Sequence, residues 1–149
     1  MNEAIELIVA RLLKRFEGCR LHAYQDAVGV WTIGYGETLN VTAGMVWTQE
    51  QADSALRTRA AYFLLSALSK CPQLALEKPE RVAACVSLEY NIGVAAFGVS
   101  SVCRKTKRRD YPGAAAAFML WNKAGGRVLK NLTWRRGVER KIYSGDIQP

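Results

Sequence analysis

The stretch Phe16-Glu-Gly-Cys-Arg-Leu-His-Ala-Tyr-Gln-Asp-Ala-Val-Gly-Val-Trp-Thr-Ile-Gly-Tyr-Gly36 marks the point where the local pattern of the chain changes. Inside it, glycines separate short runs of β-branched and aromatic residues, such as Val30–Ile33. Together with the later run Thr38–Val41, this pattern predicts a small antiparallel hairpin region over about residues 20–47. It is the only strand signal that we find in the sequence.

The residues before this stretch predict an N-terminal helix over residues 2–17. Asn2 can cap its start, and Gly18 provides a plausible stop. Apolar side chains recur there at spacings of three and four, which places them on one helical face: Ile5, Ile8, Val9, Leu12, Leu13 and Phe16.

The residues after the hairpin region predict helices. Thr48-Gln-Glu-Gln51 is a capping box that opens a long helix ending before Pro72. Further helices are predicted over Glu80–Tyr90, Tyr111–Trp121 and Leu132–Tyr143. We therefore predict an α+β, mainly helical two-lobed fold with a small antiparallel β lobe. A helical lobe covers about residues 48–145, and residues 1–149 form a single domain.

Composition limits the class of protein and the class of partner. The 149 residues are 50% hydrophobic and 23% charged, which excludes a disordered tail, a fibrous repeat and a disulfide miniprotein. The formal net charge of +8 favours an anionic partner. Nucleic acid, a membrane surface and an acidic cell-wall polymer all satisfy that condition.

Targeting and metal signals are weak in this sequence. No run of about 18 apolar residues is present, and Glu3, Glu6 and Arg11 interrupt the first segment, so we expect neither a membrane span nor a signal peptide. The four cysteines match no metal-binding or redox spacing, and His22 is the only histidine, so we expect no metal site. We favour buried thiols over disulfides for these cysteines, and the sequence does not decide between the two.

Three residues of the opening stretch can carry chemistry. Glu17 lies at a helix end, Asp26 in a turn and Thr32 on a strand. Two carboxylates that face a cleft from opposite sides perform glycoside hydrolysis, in which one protonates the leaving oxygen and the other serves the attacking water. Spacing alone favours a plainer interpretation, with a surface residue, a turn former and a strand residue.

The surrounding sequence favours the catalytic interpretation of these three residues over the plainer one. The pattern Glu17-x8-Asp26-x5-Thr32, set in the stretch quoted above, resembles the phage-type lysozyme (endolysin) family of glycoside hydrolases. Three later stretches resemble the same family in the same order, so the resemblance covers about residues 16–143. They are Ser87-Leu-Glu-Tyr-Asn-Ile-Gly-Val-Ala-Ala-Phe97, Trp121-Asn-Lys-Ala-Gly-Gly126 and Trp134-Arg-Arg-Gly-Val-Glu139.

The resemblance implies a lysozyme-like fold and a specific reaction. The family hydrolyses the β-1,4 bond between N-acetylmuramic acid and N-acetylglucosamine in peptidoglycan, with inversion and without a metal or organic cofactor. By position, Glu17 is the general acid, and Asp26 with Thr32 orients or activates the water. Inversion requires the two carboxylates to stand roughly 6.5–9.5 Å apart.

The same resemblance suggests substrate-binding residues. Tyr90 and Asn91 match positions that line the cleft, although a core tyrosine and a helix-capping asparagine explain them equally well. Ser101, after Ser100, matches the cleft wall, although a simple turn explains it somewhat better. Glu37 stands where many relatives have histidine, so we expect a changed stability or pH response with the same reaction.

Two charged segments remain outside the catalytic pattern. Arg135 and Glu139 are four residues apart on one helix, a spacing that fits a surface ion pair. For these two residues and Arg136, a structural ion-pair face packed on the other lobe is favoured over contact with the substrate. The basic run Arg104–Arg109 is typical of a solvated face, and we expect it to hold the chain to the anionic bacterial envelope.

We therefore expect a monomeric endolysin that acts on peptidoglycan glycan strands and binds no specific nucleic acid. It would accumulate in the host bacterial cytoplasm until it is released to the periplasm and cell wall. A lytic transglycosylase is one alternative, which Asp26 and Thr32 disfavour because that reaction uses no water. A non-catalytic nucleic-acid-binding module is another; it explains the net charge but leaves the Glu17 pattern unexplained.

Overall fold

The fold subdivides into a long first helix, a small β region and a set of packed helices. The computed structural model describes residues 3–149, so the predicted Asn2 cap lies outside the described residues. The elements, in order, are α1 (Glu3–Phe16), β1 (Arg20–Gln25), β2 (Trp31–Gly34), α2 (Gln49–Lys70), a 3₁₀ helix (Pro72–Leu76), α3 (Pro79–Ile92), α4 (Val94–Val99), α5 (Ser101–Lys107), α6 (Tyr111–Phe118), β3 (Lys123–Ala124), β4 (Arg127–Val128) and α7 (Lys130–Tyr143).

Helix α1 buries the face that its periodicity predicts. Val9, Leu12 and Leu13 are completely buried, and the helix packs against α2 and α3. Lys14 and Arg15 occupy its last turn, where positive charge opposes the negative end of the helix dipole. The amide of Glu17, one residue beyond α1, still donates to the Leu13 carbonyl at 2.8 Å. This hydrogen bond fixes the backbone position of Glu17.

The β region contains the predicted antiparallel pair. β1 pairs with β2, with Tyr24 opposite Thr32 and Gln25 opposite Trp31. Val46 forms an isolated bridge with the exposed His22.

The predicted strand run at Thr38–Val41 is wrong. Asn40 adopts a φ of +57°, which a strand does not accommodate. The Glu37 carboxylate also accepts hydrogen bonds from the amides of Thr38 and Leu39, at 3.0 and 2.8 Å, so these donors are not free for a ladder. The segment is therefore a turn.

The capping box that opens α2 is confirmed. The Thr48 side chain accepts from the Gln51 amide, and the Gln51 side chain accepts in return from the Thr48 amide at 2.8 Å. The helix then runs for 22 residues and buries Leu56 and Leu64 toward the core.

The core surrounds α3, whose residues from Val82 to Glu89 are all buried. Helices α1, α2 and α7 pack against it, so apolar contact is available on almost every side. A helix that is buried around its circumference stabilises the fold by removing apolar area from water, at roughly 25 cal/mol per Å².

One further prediction is wrong in detail. The β region does not contain the only strands, because β3 and β4 form a second hairpin across Gly125 and Gly126, which both have positive φ. The solvated face predicted for the basic run is confirmed: α5 includes the run as far as Lys107, and Arg104 and Lys107–Arg109 are exposed. Among residues 3–149, no helix is both long enough and apolar enough to cross a membrane.

Glu89 makes the stability of this core depend on pH. The carboxyl group is completely buried, and burial raises its pKa to about 7, although Ser66 and Lys70 of α2 oppose the shift. A carboxyl with a raised pKa in the folded state stabilises the fold fully below its ordinary value near 4.5 and loses that contribution as the pH rises to about 7.

We predict that Glu89→Gln removes this loss. The free energy of unfolding of the native chain should fall by about 3 kcal/mol between pH 4.5 and 7 relative to the variant, because each pKa unit corresponds to about 1.4 kcal/mol. Urea unfolding across this range measures it. Glu50→Gln, at an exposed position of α2, is the control and should leave the pH profile unchanged. Parallel profiles for the native chain and Glu89→Gln would contradict the prediction.

Candidate active site

Glu17 follows the end of α1 and lies between the β region and the helical core. Its side chain is 24% exposed, and its Oε1 accepts a hydrogen bond from Arg135 Nη1 at 2.8 Å. Its Oε2 points toward Gly36: a Cβ placed on this glycine would stand 4.0 Å from that oxygen and 3.9 Å from the Tyr90 hydroxyl. One carboxylate oxygen is therefore fixed by a guanidinium, and the other faces the glycine turn.

Arg135 is held in place by buried partners. Its guanidinium donates to Glu139 Oε2 at 3.3 Å and to the Ser87 carbonyl at 3.2 Å, and it lies 4.7 Å from the centre of the Phe16 ring. Glu139 in turn accepts from the Ser87 hydroxyl and forms an ion pair with Arg136. The two carboxylates and two guanidiniums of this cluster balance in charge.

The predicted Arg135–Glu139 pair exists and is packed inside the protein, as the favoured structural interpretation requires, so its fit to an open surface is wrong. Arg135 is 6% exposed, and Arg136 and Glu139 are completely buried. Burial raises the pKa of Glu139, while the two arginines and Ser87 act in the opposite direction. The reason for burial is packing: α7 rests on α3 and places these residues against Ser87.

Asp26 occupies the turn that links β1 to β2. Its Oδ1 accepts from the amides of Val28 and Val30, both at 2.9 Å, while the backbone closes the turn through Gly29, whose φ is +87°. These hydrogen bonds hold the carboxylate in one orientation. Among the described residues, no hydrogen bond uses its Oδ2.

Thr32 lies on β2, one strand position from the buried Ile33. It is 4% exposed, and its hydroxyl donates to the Val30 carbonyl at 2.9 Å. Because the hydroxyl proton is used in this way, the oxygen retains its lone pairs for an incoming donor. Asp26 and Thr32 share Val30 as a partner, which links their positions.

The structure brings two of the three suggested substrate-binding residues to this region. The Tyr90 hydroxyl donates to the Tyr35 carbonyl at 2.8 Å, directly before Gly36. The exposed Asn91 accepts from Arg136 through its Oδ1 at 2.9 Å. Ser101 begins α5, and no hydrogen bond within residues 3–149 joins it to this region; the cap of that helix is Ser100, which accepts from the Cys103 amide.

A groove runs from Glu17 toward the second hairpin. It comprises two cavities of about 240 Å³ and 420 Å³, which share Asn91, Asn131 and Leu132. Phe16, Glu17, Trp134 and Arg135 complete the smaller cavity, and the larger adds Ile92, Trp121, Lys123, Ala124 and Leu129. Trp134 is 55% exposed and packs edge-on against Phe16. Exposed tryptophan beside amide groups is a surface that suits a sugar ring.

Sequence reasoning missed Arg135 as a partner of Glu17, and it missed Trp134 and Asn131 as groove residues. The only available signal was the resemblance of the stretches Trp121–Gly126 and Trp134–Glu139, which marked these segments without giving their contacts. Glu37 pairs with Arg59 at 3.2 Å. A metal ion would need a group of at least three His, Cys, Asp or Glu side chains, and residues 3–149 contain no such group.

Comparison with known proteins identifies the family of this chain. The family model for phage lysozyme matches residues 14–139, which include Glu17, the β region and Glu139. The chain belongs to the phage lysozyme family.

Relatives in this family match most of the chain. The endolysin of Acyrthosiphon pisum secondary endosymbiont phage 1 is 44% identical over 138 residues, which cover 89% of this chain and 92% of that protein. The endolysin of Salmonella phage P22 is 40% identical, with coverage of 88% and 91%. The muramidase domain of SpmX from Asticaccaulis excentricus superposes with a TM-score of 0.82 at 32% identity and covers 95% of each chain.

These matches confirm two predictions from the sequence. The fold is α+β and mainly helical, with a small antiparallel sheet, as in phage lysozymes. The chain is a glycoside hydrolase of the lysozyme type. The assignment of individual catalytic residues stays a prediction.

The charge cluster leads to a stability prediction. Glu139→Gln should lower the free energy of unfolding by about 3–5 kcal/mol, because it leaves the buried Arg136 guanidinium with a neutral partner and Arg135 with Glu17 alone. Urea unfolding at neutral pH measures this change. Asp53→Asn is the matched control: Asp53 pairs with Lys14 at 3.1 Å where both side chains are over a third exposed, so the loss should be about 1 kcal/mol or less. Equal losses for the two variants would contradict a buried, coupled role for Glu139.

Proposed function

We propose that this chain is an endolysin that hydrolyses the β-1,4 bond between N-acetylmuramic acid and N-acetylglucosamine with inversion, and so lyses its host cell. The observation that carries the proposal is the position of Glu17, which lines a groove, with Oε1 fixed by a buried arginine and Oε2 on the side of Gly36. The endolysin relatives and the muramidase domain support the same substrate.

Glu17 is proposed as the general acid. Because Arg135 occupies Oε1, the proton to be donated is carried on Oε2, which is the oxygen available to a glycan in the groove. Transfer to the glycosidic oxygen lets the leaving sugar depart as an alcohol. Arg135 is a positioning residue in this scheme, since it fixes the orientation of the carboxyl group without touching the glycan oxygen.

Asp26 and Thr32 are proposed to hold the attacking water. Asp26 Oδ1 is engaged by two backbone amides, which leaves Oδ2 to accept one proton of the water. Thr32 Oγ1 donates to Val30 and can accept the other. With both protons engaged, a lone pair of the water oxygen is directed at the anomeric carbon on the face opposite Glu17. This arrangement requires the separation of roughly 6.5–9.5 Å between carboxylates that inversion demands.

Tyr90, Asn91 and Ser101 are proposed to bind the glycan. Asn91 uses its oxygen for Arg136, so its amide nitrogen remains to donate to a sugar acetamido or hydroxyl oxygen. Tyr90 forms the wall behind Gly36, where its hydroxyl is already bound to Tyr35. Ser101 contributes only if the glycan extends as far as the start of α5.

The exposed basic side chains of α5 and the turn after it are proposed to retain the enzyme at the anionic bacterial envelope. Arg104, Lys107, Arg108 and Arg109 are all exposed, and the whole chain carries a net charge of +8. Such a field raises the local concentration at an anionic surface without a specific contact. We propose that the chain acts as a monomer, held in the host cytoplasm until it is released to the periplasm and wall.

We predict that Glu17→Gln and Asp26→Asn each reduce peptidoglycan hydrolysis by at least about 100-fold, because each removes a proton-transfer group. Loss of turbidity of purified cell walls measures the rate, and circular dichroism checks that the variants fold. Glu50→Gln, exposed on α2, is the matched control and should keep the native rate. Near-native hydrolysis by Glu17→Gln would disprove the assignment of the acid.

Product analysis separates hydrolysis from the alternative reaction. Mass spectrometry should show reducing ends, and NMR of the first product should show the inverted anomer. A 1,6-anhydro end would instead identify a lytic transglycosylase.

The envelope proposal gives a prediction on ionic strength. Reversing two charges on and beside α5, as Arg104→Glu/Arg108→Glu, should slow wall hydrolysis roughly tenfold at low salt and flatten its decline as salt rises. Turbidity assays on cell walls from low to physiological salt measure this change. Hydrolysis of a soluble uncharged glycan, followed separately over the same salt range, is the control and should differ little between the variant and the native chain. Arg57→Glu/Lys78→Glu reverses two other exposed charges and should have a smaller effect. An equal effect of both double variants would show that only total charge matters.

A further inference from the structure

Two buried cysteines in the helical part of the molecule are in contact. Cys71 caps the end of α2, and Cys103 lies in α5; both are completely buried. The Cys71 thiol donates to the Cys103 carbonyl with Sγ and O 3.9 Å apart, and the Cys103 thiol donates to the Lys70 carbonyl at 3.5 Å. Two segments far apart in sequence thus present their sulfur atoms to one another.

The remaining cysteines do not share this arrangement. Cys19 is exposed, next to the β region, and its only described hydrogen-bond partner is the Gln49 side chain, at 3.9 Å. Cys85 is buried on α3, and no hydrogen bond of its thiol is found within the described residues. The pair is also not part of a metal site, because no suitable group of ligands exists in residues 3–149.

The environment makes the two thiols unequal. The neighbouring Cys71 side chain, together with Lys107 and Lys70, lowers the pKa of Cys103 to about 7 against the effect of burial. The Cys103 side chain and burial raise the pKa of Cys71. Since the thiolate is the reactive form, Cys103 is suited to attack a disulfide first, and Cys71 is suited to resolve the product.

We propose that Cys71 and Cys103 form a disulfide bond when the chain meets a small-molecule or protein disulfide. The Cys103 thiolate attacks one sulfur of the oxidant R–S–S–R, which forms a mixed disulfide and releases RS⁻. Cys71 then loses its proton and attacks the Cys103 sulfur, which expels the second RS⁻. The two thiolates released take up the two protons that the cysteines have given, so one oxidant becomes two R–SH.

The bond would fasten the end of α2 to α5. It would close a loop of 32 residue steps, and such a loop restricts the unfolded chain more than the folded one. Because both thiols are buried, we expect the oxidant to reach them during folding or brief opening of the helices. An endolysin that reaches the periplasm enters an oxidising compartment; this setting rests on the proposed function, while the thiol chemistry does not.

The test uses the full chain refolded in oxidised glutathione, compared with the same chain in excess reductant. Thiol titration with Ellman's reagent in denaturant should show the loss of two of four thiols. Peptide mapping by mass spectrometry without reduction should join the peptides that contain Cys71 and Cys103. The Tm of the oxidised form should exceed that of the reduced form by on the order of 10 °C.

Single variants serve as controls. Cys71→Ala and Cys103→Ala should abolish the difference in Tm between oxidised and reduced protein, whereas Cys19→Ala and Cys85→Ala should keep it. Each variant is compared with itself in the oxidised and reduced forms, so a variant with a low Tm still gives a clear result. The peptide mapping needs only the native chain. Four free thiols, or a bond that involves Cys19 or Cys85, would overturn the proposal. Wall hydrolysis by the reduced chain, measured separately, shows whether the proposed function stands or fails on its own.

Discussion

The hydrogen-bonded ion pair between Glu17 and Arg135 is the constraint on which the site depends. It joins the end of the first helix to the last helix of the chain across the core. Arg135 can serve there only because Ser87 and Glu139 use its remaining donors, and Glu139 in turn compensates Arg136. A buried guanidinium without such partners would be very unfavourable. The position of one exposed carboxylate oxygen therefore rests on a buried, charge-balanced cluster.

Two glycines allow the β region to pack next to this ion pair. Gly36, with a φ of +88°, brings the turn after β2 close to Glu17 and Tyr90 without a side chain in the way. Gly34 faces the Trp47 ring so closely that a Cβ would stand 2.8 Å from it. Because these two glycines carry no side chain, β2, which contains Thr32, packs closely against the helices. This packing places the β region beside the helices that line the groove at Glu17.

The parts of the site that the sequence could predict are local. Glu17, Asp26 and Thr32 fall within one continuous stretch whose turns and strands follow from its glycines and β-branched residues, and the capping box of α2 is equally local. Arg135 is 118 positions from Glu17, and no periodicity relates residues so distant. The second hairpin has strands of two residues each, too short for alternation to reveal. The partner of Glu37, Arg59, could not be predicted either, because their contact forms only when the turn after β2 packs on the long helix α2.

The distance along the chain between Glu17 and Arg135 has a consequence for synthesis. The ribosome adds Glu17 to the chain 118 positions before it adds Arg135. Until α7 has emerged and packed on α3, the Glu17 carboxylate lacks the guanidinium that holds it. The general acid that we propose is therefore ordered only after α7 has been made and has packed.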